Sequence, residues 1–319
     1  MALFDRLLLA LNVHVEAFAT CEIGPGWRLA LNPMDHPVLH YVLTGAGLFT
    51  IESMPPVRFA RDSLLLIPAG RATKLEPPEG GDREVAGHIV ARRTADGLLR
   101  LQAGTGESTA ILACGTIRAT YGGTLGLFDR LDRVIVEEFA EVPAIRSAIE
   151  AVLAELALPR VGSPGLIDAL LKPCVVLLLR RQLEKREPDL PWLAATTHPK
   201  LGRSVLAMLD DPGERFTLEG LAERSGMSRS SFSEQFADLL GRPPMEFLRE
   251  LRLRRAAYLL ETTDEPIKTI AQSVGYASRS YFSRAFSRAF GVDPSRFRED
   301  RRSGVEVSGV STFQATRED

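Results

Sequence analysis

Residues 267–297 read Ile267-Lys-Thr-Ile-Ala-Gln-Ser-Val-Gly-Tyr276, then Ala277, then Ser278-Arg-Ser-Tyr-Phe-Ser-Arg-Ala-Phe-Ser-Arg-Ala-Phe290, then Gly291-Val-Asp-Pro-Ser-Arg-Phe297. The small Ala271 suits a close crossing of two helices, and Gly275 suits a turn that strains residues with a Cβ atom. Ser278 can cap a following helix, along which phenylalanines recur every four residues to form an apolar stripe. The stretch therefore predicts a helix-turn-helix.

The same pattern occurs earlier in the chain. Four positions recur at an offset of 49 residues and, after one inserted residue, seven recur at an offset of 50. The first copy is Leu218, Leu221, Ala222, Gly226, Ser228, Arg229, Phe232, Phe236, Gly241, Pro244 and Phe247. Eleven matched positions at a nearly constant offset indicate an internal duplication. We therefore expect two helix-turn-helix units joined by an amphipathic helix over Leu248–Leu260.

Opposite each phenylalanine stripe lies a polar face that can contact DNA. Arginine pairs bidentately with guanine or with phosphate, and serine contacts either base or backbone. The candidates in the second unit are Arg279, Ser280, Ser283, Arg284 and Arg288, and those in the first are Arg229, Ser230, Ser233 and Glu234. Arg249, Arg252, Arg254 and Arg255 on the joining helix are candidate phosphate contacts. The alternative is that each arginine belongs to a solvated helix face.

Taken together, Phe216–Arg298 resembles the DNA-binding domain of the AraC/XylS transcriptional regulators. The resemblance implies two recognition helices in successive major-groove segments of promoter or operator DNA, with RNA polymerase as a further partner. Glu234 stands where some members of this family carry a basic residue. The implied function is sequence-specific transcriptional regulation, with activation favoured, and not catalysis.

The N-terminal half shows a different pattern, with short β-like runs separated by Gly and Pro. These runs are Trp27–Leu31, Val38–Leu43, Gly47–Glu52, Ser63–Ile67, Val85–Ala91 and Thr109–Ile117. They predict a small barrel or sandwich. Apolar residues then recur in helical steps from Pro143 to Leu183. The class is therefore α+β, with a barrel at 1–142, helices for dimerisation or linkage at 143–197, a DNA-binding domain at 198–302 and a disordered tail at 303–319.

The stretch Asp62–Thr73 resembles the second motif of cupin barrels. In metal-binding cupins a histidine stands where this chain has Thr73, and the first motif needs two histidines one residue apart, whereas His36 and His40 are four apart. We therefore expect no metal, no cofactor and no catalytic residue. A metal-dependent cupin enzyme fused to a DNA-binding domain is the less favoured alternative.

Three cysteines are too few and too scattered for a disulfide framework, which favours a reducing compartment. The segments Cys21–Trp27 and Ala113–Arg118 resemble those of an AraC branch that responds to reactive chlorine species. That resemblance implies that Cys21 and Cys114 sense oxidants. The alternative is a buried Cys114 and an incidental Cys21. Cys174, within an apolar helix, is expected to lie in the core.

Composition fits a globular protein that stays in the cytoplasm. The chain has 319 residues, 45% hydrophobic and 25% charged, with a net charge of −2. No stretch approaches the roughly 20 apolar residues needed to cross a bilayer. Residues 200–302 hold 18 Lys and Arg against 15 Asp and Glu, which weakly favours a DNA-facing C-terminal half.

Two further expectations concern partners. A small organic or nucleotide effector in the barrel is the rival of oxidant sensing, with Arg58, Arg61, Arg71, Arg92 and Arg93 as candidate anion contacts. The apolar stripes at Ile145–Leu156 and Leu166–Leu179 favour a homodimer. The same stripes would equally serve to dock these helices on the barrel.

Overall fold

The computed structural model describes residues 11–95, 97–185 and 188–302 and divides the chain into two compact units. The N-terminal unit comprises 11–119 and 127–189, and the C-terminal unit comprises 120–126 and the chain from Leu190 onward. Residues 143–189 of the predicted helical region thus belong to the N-terminal unit and residues 190–197 to the C-terminal unit. The domain boundaries given in the sequence analysis stay predictions. The first ten residues and the predicted tail at 303–319 lie outside the described residues.

Strands dominate the N-terminal unit, and the α+β class is confirmed. Along the main path of the sheet the order is β7-β2-β6-β3-β10-β1-β9-β8, and β5 pairs with both β3 and β12. Over the described residues the strands are β1 Leu11–Ile23, β2 Gly26–Leu31, β3 Val38–Ile51, β4 Val57–Ala60, β5 Ser63–Ile67, β6 Thr73–Glu76, β7 Gly81–Ala86, β8 Ala91–Arg93, β9 Leu99–Ala103, β10 Ala110–Tyr121, β11 Leu125–Gly126 and β12 Ile135–Glu138.

Strand β3 replaces two predicted strands, Val38–Leu43 and Gly47–Glu52. Its first half pairs with β5 and β10, and its second half pairs with β4 and β6. The change of partners occurs at Gly45, whose φ of +79° places the chain where a Cβ atom would lie 1.9 Å from the carbonyl oxygen of Thr109. Only glycine permits both the conformation and this close approach.

Three helices accompany the barrel strands: the single turn α1 Gly87–Val90, α2 Pro143–Ala157 and α3 Ser163–Glu184. Helix α3 packs on β1, and α2 packs on α3. Arg146 on α2 donates to the carboxylate of Asp62 at 2.6 Å and to the carbonyl of Leu43 at 2.8 Å. Most of both apolar stripes is buried, as the docking alternative predicted, whereas Leu166 at the start of the second stripe is 45% exposed.

Helices form most of the C-terminal unit. They are α4 Pro191–Thr197, α5 Gly202–Asp210, α6 Leu218–Arg224, α7 Arg229–Leu240, α8 Pro244–Thr262, α9 Ile267–Ser273, α10 Arg279–Phe290 and α11 Pro294–Arg302. The duplication is visible as α6-α7 and α9-α10, joined by α8, which contains the predicted helix Leu248–Leu260. In the described part of the chain, no helix is long and apolar enough to span a membrane.

Local features of the two helix-turn-helix units match the expectation. Gly226 and Gly275 have φ of +62° and +85°, a region that favours glycine. Ser228 and Ser278 cap α7 and α10 by accepting hydrogen bonds from backbone amides. The phenylalanines of both stripes are buried, so they form cores and are not free to stack on bases.

The C-terminal unit also takes in residues 120–126, which turn from the end of β10 into β11. The hydroxyl of Tyr121 donates to the carboxylate of Asp210 at 2.6 Å. Arg255 on α8 donates to the carbonyl of Gly122 at 2.7 Å. We call residues 120–126 the β10–β11 hairpin.

Candidate functional site

Helix α10 presents a positively charged face. Phe282, Phe286 and Phe290 are buried, which turns the opposite side of the helix to solvent. On that side Arg279, Ser280, Arg284 and Arg288 are exposed and Ser283 is half-buried. Among the described residues, no carboxylate forms an ion pair with any of the three arginines. Their charges are therefore available to phosphates, whose binding releases counterions.

Helix α7 has the same geometry with the opposite charge balance. Arg229, Ser230 and Glu234 are exposed and Ser233 is half-buried. The helix carries one arginine against two carboxylates, Glu234 and Asp238. Because carboxylates repel phosphates, the exposed face of α7 is less favourable to a polyanion than that of α10.

Three of the four arginines on α8 form hydrogen bonds within the protein, and their expected role as phosphate contacts stays a prediction. Arg252 donates to the carbonyls of Pro212 and Glu214 at 2.7 and 2.8 Å. Arg254 donates to Glu250, and Arg255 donates to the β10–β11 hairpin. Of the four, Arg249 is exposed. Arg252 and Arg255 therefore tie α8 to other segments of the C-terminal unit, whereas Arg254 pairs within the helix.

The N-terminal unit contains a cavity of about 200 Å³, which we call the thiol cavity because Cys21 and Cys114 both line it. Most of the lining is apolar. Its polar side chains are those of Asn32, His40, Arg71, Thr73, His88 and Thr116. Arg71 is the one member of the five predicted anion contacts found among the lining residues.

Cys21 and Cys114 lie on β1 and β10, which are neighbours in the sheet. Both side chains are buried, with 2% and 5% of their surface exposed. Burial, followed by the neighbouring Cys21, holds the pKa of Cys114 well above its usual value. The structure thus brings together the two thiols that the sequence could name but not place.

His40 is the third member of this group, and the sequence analysis named it only as a histidine that does not fit the metal-binding cupin motif. It stands opposite Cys114 in the pairing of β3 with β10, with 2.9 Å between its Nδ1 and the Cys114 Sγ. Its ring also packs on Phe49. Burial lowers the pKa of His40 to about 3, so the imidazole is neutral near pH 7. Only the register of the two strands reveals this pair.

Cys174 lies apart from the thiol cavity, on α3. It is 1% exposed, as expected for a core residue, and burial raises its pKa to about 12. His36 is half-buried, and Thr73 is buried at the start of β6. In the described residues, no three or more His, Cys, Asp or Glu side chains are grouped to hold a metal ion.

A cupin-like barrel followed by two helix-turn-helix units defines a class of transcriptional regulators that join an N-terminal cupin domain to a DNA-binding domain. A helix-turn-helix domain family matches residues 221–300, and a cupin family matches residues 2–184, more than half of the chain. The chain belongs to the AraC family of transcriptional regulators with an N-terminal cupin domain.

Two relatives are transcription regulators by name. The chain is similar to the "RCS-specific HTH-type transcriptional activator RclR" of Escherichia coli (strain K12), with 33% identity over 72% of this chain and 81% of the relative. It is 29% identical to a putative AraC-like transcription regulator of Streptomyces antibioticus over 92% of this chain and 97% of the relative. The solved DNA-binding domain of AdpA in complex with a target DNA covers 34% of this chain and 96% of that domain, with 32% identity and a TM-score of 0.33.

Proposed function

We propose that this protein activates transcription when reactive chlorine or oxygen species oxidise Cys21 and Cys114. The observation that carries the proposal is the position of both thiols in one cavity on adjacent strands. A thiol beside a second thiol can pass from a sulfenyl species to a disulfide. The similarity to an activator whose name specifies reactive chlorine species supports the same signal.

The proposed DNA contacts come from α7 and α10. Helix α10 carries most of the affinity because its three arginines are exposed without a carboxylate on the same helix. The residues are Arg279, Ser280, Ser283, Arg284 and Arg288 on α10, with Arg229, Ser230, Ser233 and Glu234 on α7. RNA polymerase is the proposed partner through which bound protein activates transcription.

The decisive experiment measures anisotropy of labelled DNA from upstream of its own and neighbouring genes. Reduced protein is compared with protein treated with stoichiometric hypochlorous acid, at one fixed salt concentration because phosphate contacts are salt-dependent. We expect an affinity change that dithiothreitol reverses and that Cys21→Ser or Cys114→Ser abolishes. Cys174→Ser is the matched control and should respond as the wild type does. An unchanged response in both single variants contradicts the redox proposal.

A small organic effector is the second candidate, favoured by the thiol cavity itself. Its volume of about 200 Å³ exceeds the ~150 Å³ of an engineered apolar cavity that binds benzene. Arg71 offers a charge for an anionic group. A saturable ligand-induced rise in Tm that survives oxidant treatment would support this candidate. For an anionic ligand, Arg71→Ala should reduce that rise in Tm.

We also propose a homodimer, in which the exposed apolar residues around the α2–α3 turn take part. Leu158 is 71% exposed, Leu166 is 45% exposed and Val161 is fully exposed. Sedimentation equilibrium tests this contact. Val161→Asp should weaken the dimer, whereas an unchanged association constant would exclude this turn from the interface.

A further inference from the structure

We propose that His40 takes the proton of Cys114 when that thiol attacks an oxidised Cys21, so that a buried histidine controls how fast the disulfide closes. The inference rests on the redox function proposed above. It adds a third residue, with a defined role, to the two cysteines.

The geometry places the imidazole at the reacting sulfur. His40 Nδ1 lies 2.9 Å from Cys114 Sγ, and the two residues face each other across β3 and β10. With its proton on Nε2, the neutral ring offers Nδ1 as an acceptor for the thiol. The strand pairing fixes this contact before any oxidant arrives.

Cys114 needs such a group because its surroundings disfavour the thiolate, which is the attacking form. Burial raises its pKa, and the adjacent Cys21 raises it further. The other titratable or charged side chains around the cavity are His88 on α1 and Arg71 between β5 and β6. His40 is the one of these histidines with a hydrogen bond to the thiol. Burial keeps the ring neutral near pH 7, so the Nδ1 lone pair is open to the thiol across that range. The same burial makes the ring a weak base, so the proton moves to Nδ1 only as the S–S bond forms, when the attacking sulfur becomes strongly acidic.

The chemical sequence balances with hypochlorous acid as the oxidant. Chlorine is transferred to the sulfur of Cys21, and the thiol proton leaves with hydroxide as water. Cys114 Sγ then attacks Cys21 Sγ while its proton passes to His40 Nδ1, and chloride departs with the electron pair of the S–Cl bond. The two thiols supply two electrons, and the products are one disulfide, water, chloride and a proton. His40 returns that proton to solvent.

The test follows both steps in the full-length protein by rapid quenching and mass spectrometry after one equivalent of hypochlorous acid. The first readout is loss of the Cys21 thiol, and the second is the Cys21–Cys114 disulfide. The second step is unimolecular, so its rate does not depend on oxidant concentration. His40→Phe keeps a ring beside Phe49 but removes the acceptor, and His88→Gln changes the other histidine of the same cavity.

We expect the wild type to close the disulfide at a rate nearly independent of pH from 6 to 8. His40→Phe should leave the first step unchanged, slow the second by about 100-fold at pH 7 and make it rise about tenfold per pH unit, because free thiolate must then form. His88→Gln should match the wild type. An unchanged rate and pH profile in His40→Phe overturns the inference.

The experiment distinguishes a failure of the His40 role from a failure of the redox function. If His40→Phe does not fold, the rate of disulfide closure is measured instead in His40→Gln and, as a function of pH, in the wild type. A wild-type rate that rises tenfold per pH unit would also overturn the inference. If the wild type forms no Cys21–Cys114 disulfide at any pH, the redox function itself fails. If the disulfide forms and only the His40 effect is missing, the redox function survives without this role for His40.

Discussion

The three exposed arginines of α10 are proposed DNA contacts, and Arg284 lies in the middle of that face. We expect Arg284→Ala to weaken binding to specific DNA by about 1–3 kcal/mol, roughly 5–150-fold, if it pairs with a base. Anisotropy against specific and scrambled duplexes at fixed salt measures this loss.

The control for this prediction is Arg296→Ala, since Arg296 is an exposed arginine of the same unit that pairs with Asp300 on α11. It should change the affinity little. Equal losses on specific and scrambled DNA would instead make Arg284 a phosphate contact. No loss on either duplex would remove it from the interface.

Asp62 connects the barrel to α2 through its hydrogen bonds with Arg146, and its carboxylate makes the stability of the N-terminal unit depend on pH. Burial alone would raise the pKa of Asp62, but hydrogen bonds from Tyr41 and Arg146 lower it below its usual value. The folded state therefore holds the carboxylate more strongly than the unfolded chain does. This stabilisation is complete above the unfolded pKa of about 4 and is lost as the pH falls through the lower folded value.

We therefore expect Asp62→Asn to lower Tm at pH 7 and to flatten the decline of Tm between about pH 5 and pH 2. Asparagine tolerates the φ of +64° found at this position, so the substitution tests the charge and not the backbone. Glu52→Gln, at an exposed carboxylate of the same unit, is the control. A variant whose Tm falls with pH as steeply as that of the wild type would contradict the assignment.

At the scale of elements, the start of α10 depends on Ser278, whose hydroxyl accepts from the Tyr281 amide at 3.4 Å. We expect Ser278→Ala to lower the free energy of unfolding by about 1 kcal/mol, because the amide loses its partner. Urea unfolding followed by the fluorescence of Trp192 measures this, in a Trp27→Phe background so that only the C-terminal unit reports. Ser280→Ala, inside the same helix, should cost much less. Equal losses of unfolding free energy in Ser278→Ala and Ser280→Ala would mean that the Ser278 cap does not stabilise α10.

Elements built from local signals were predictable from the sequence. The caps, turn glycines and phenylalanine stripes lie within one helix-turn-helix copy, so their spacing alone predicts α6-α7 and α9-α10. Strand β3 was predicted as two strands because the role of Gly45 depends on Thr109, which is far away in sequence. The pairing of His40 with Cys114 depends on the register of β3 against β10 and was equally out of reach. The engagement of Arg252 by the carbonyls of Pro212 and Glu214 is likewise a tertiary contact.

At the scale of the whole molecule, the described chain passes between the units at residues 119–120, 126–127 and 189–190. The β10–β11 hairpin belongs to the C-terminal unit although it continues a strand of the N-terminal unit. It continues the same β10 that carries Cys114. The described chain therefore crosses between the two units three times, whereas two domains joined by one linker are crossed once.

The contact of Tyr121 with Asp210 tests how much the β10–β11 hairpin contributes to the C-terminal unit. We expect Tyr121→Phe to lower the free energy of unfolding of this unit by about 1 kcal/mol, through loss of a hydrogen bond to a carboxylate. Trp192 fluorescence in the Trp27→Phe background reports it. Tyr281→Phe, at an exposed tyrosine, is the control. An unchanged unfolding midpoint would show that the hairpin does not stabilise the helices.

The β10–β11 hairpin also has a consequence for how the protein is made. Gly122 and its partner Arg255 are 133 residues apart in the sequence. At a synthesis rate of about 5–20 residues per second, the ribosome releases the hairpin roughly 7–27 seconds before α8 exists. During that interval the nascent chain must carry residues 120–126 without their helical partners. The C-terminal unit can therefore complete its fold only late in translation, when α8 packs against residues 120–126, which were synthesised much earlier.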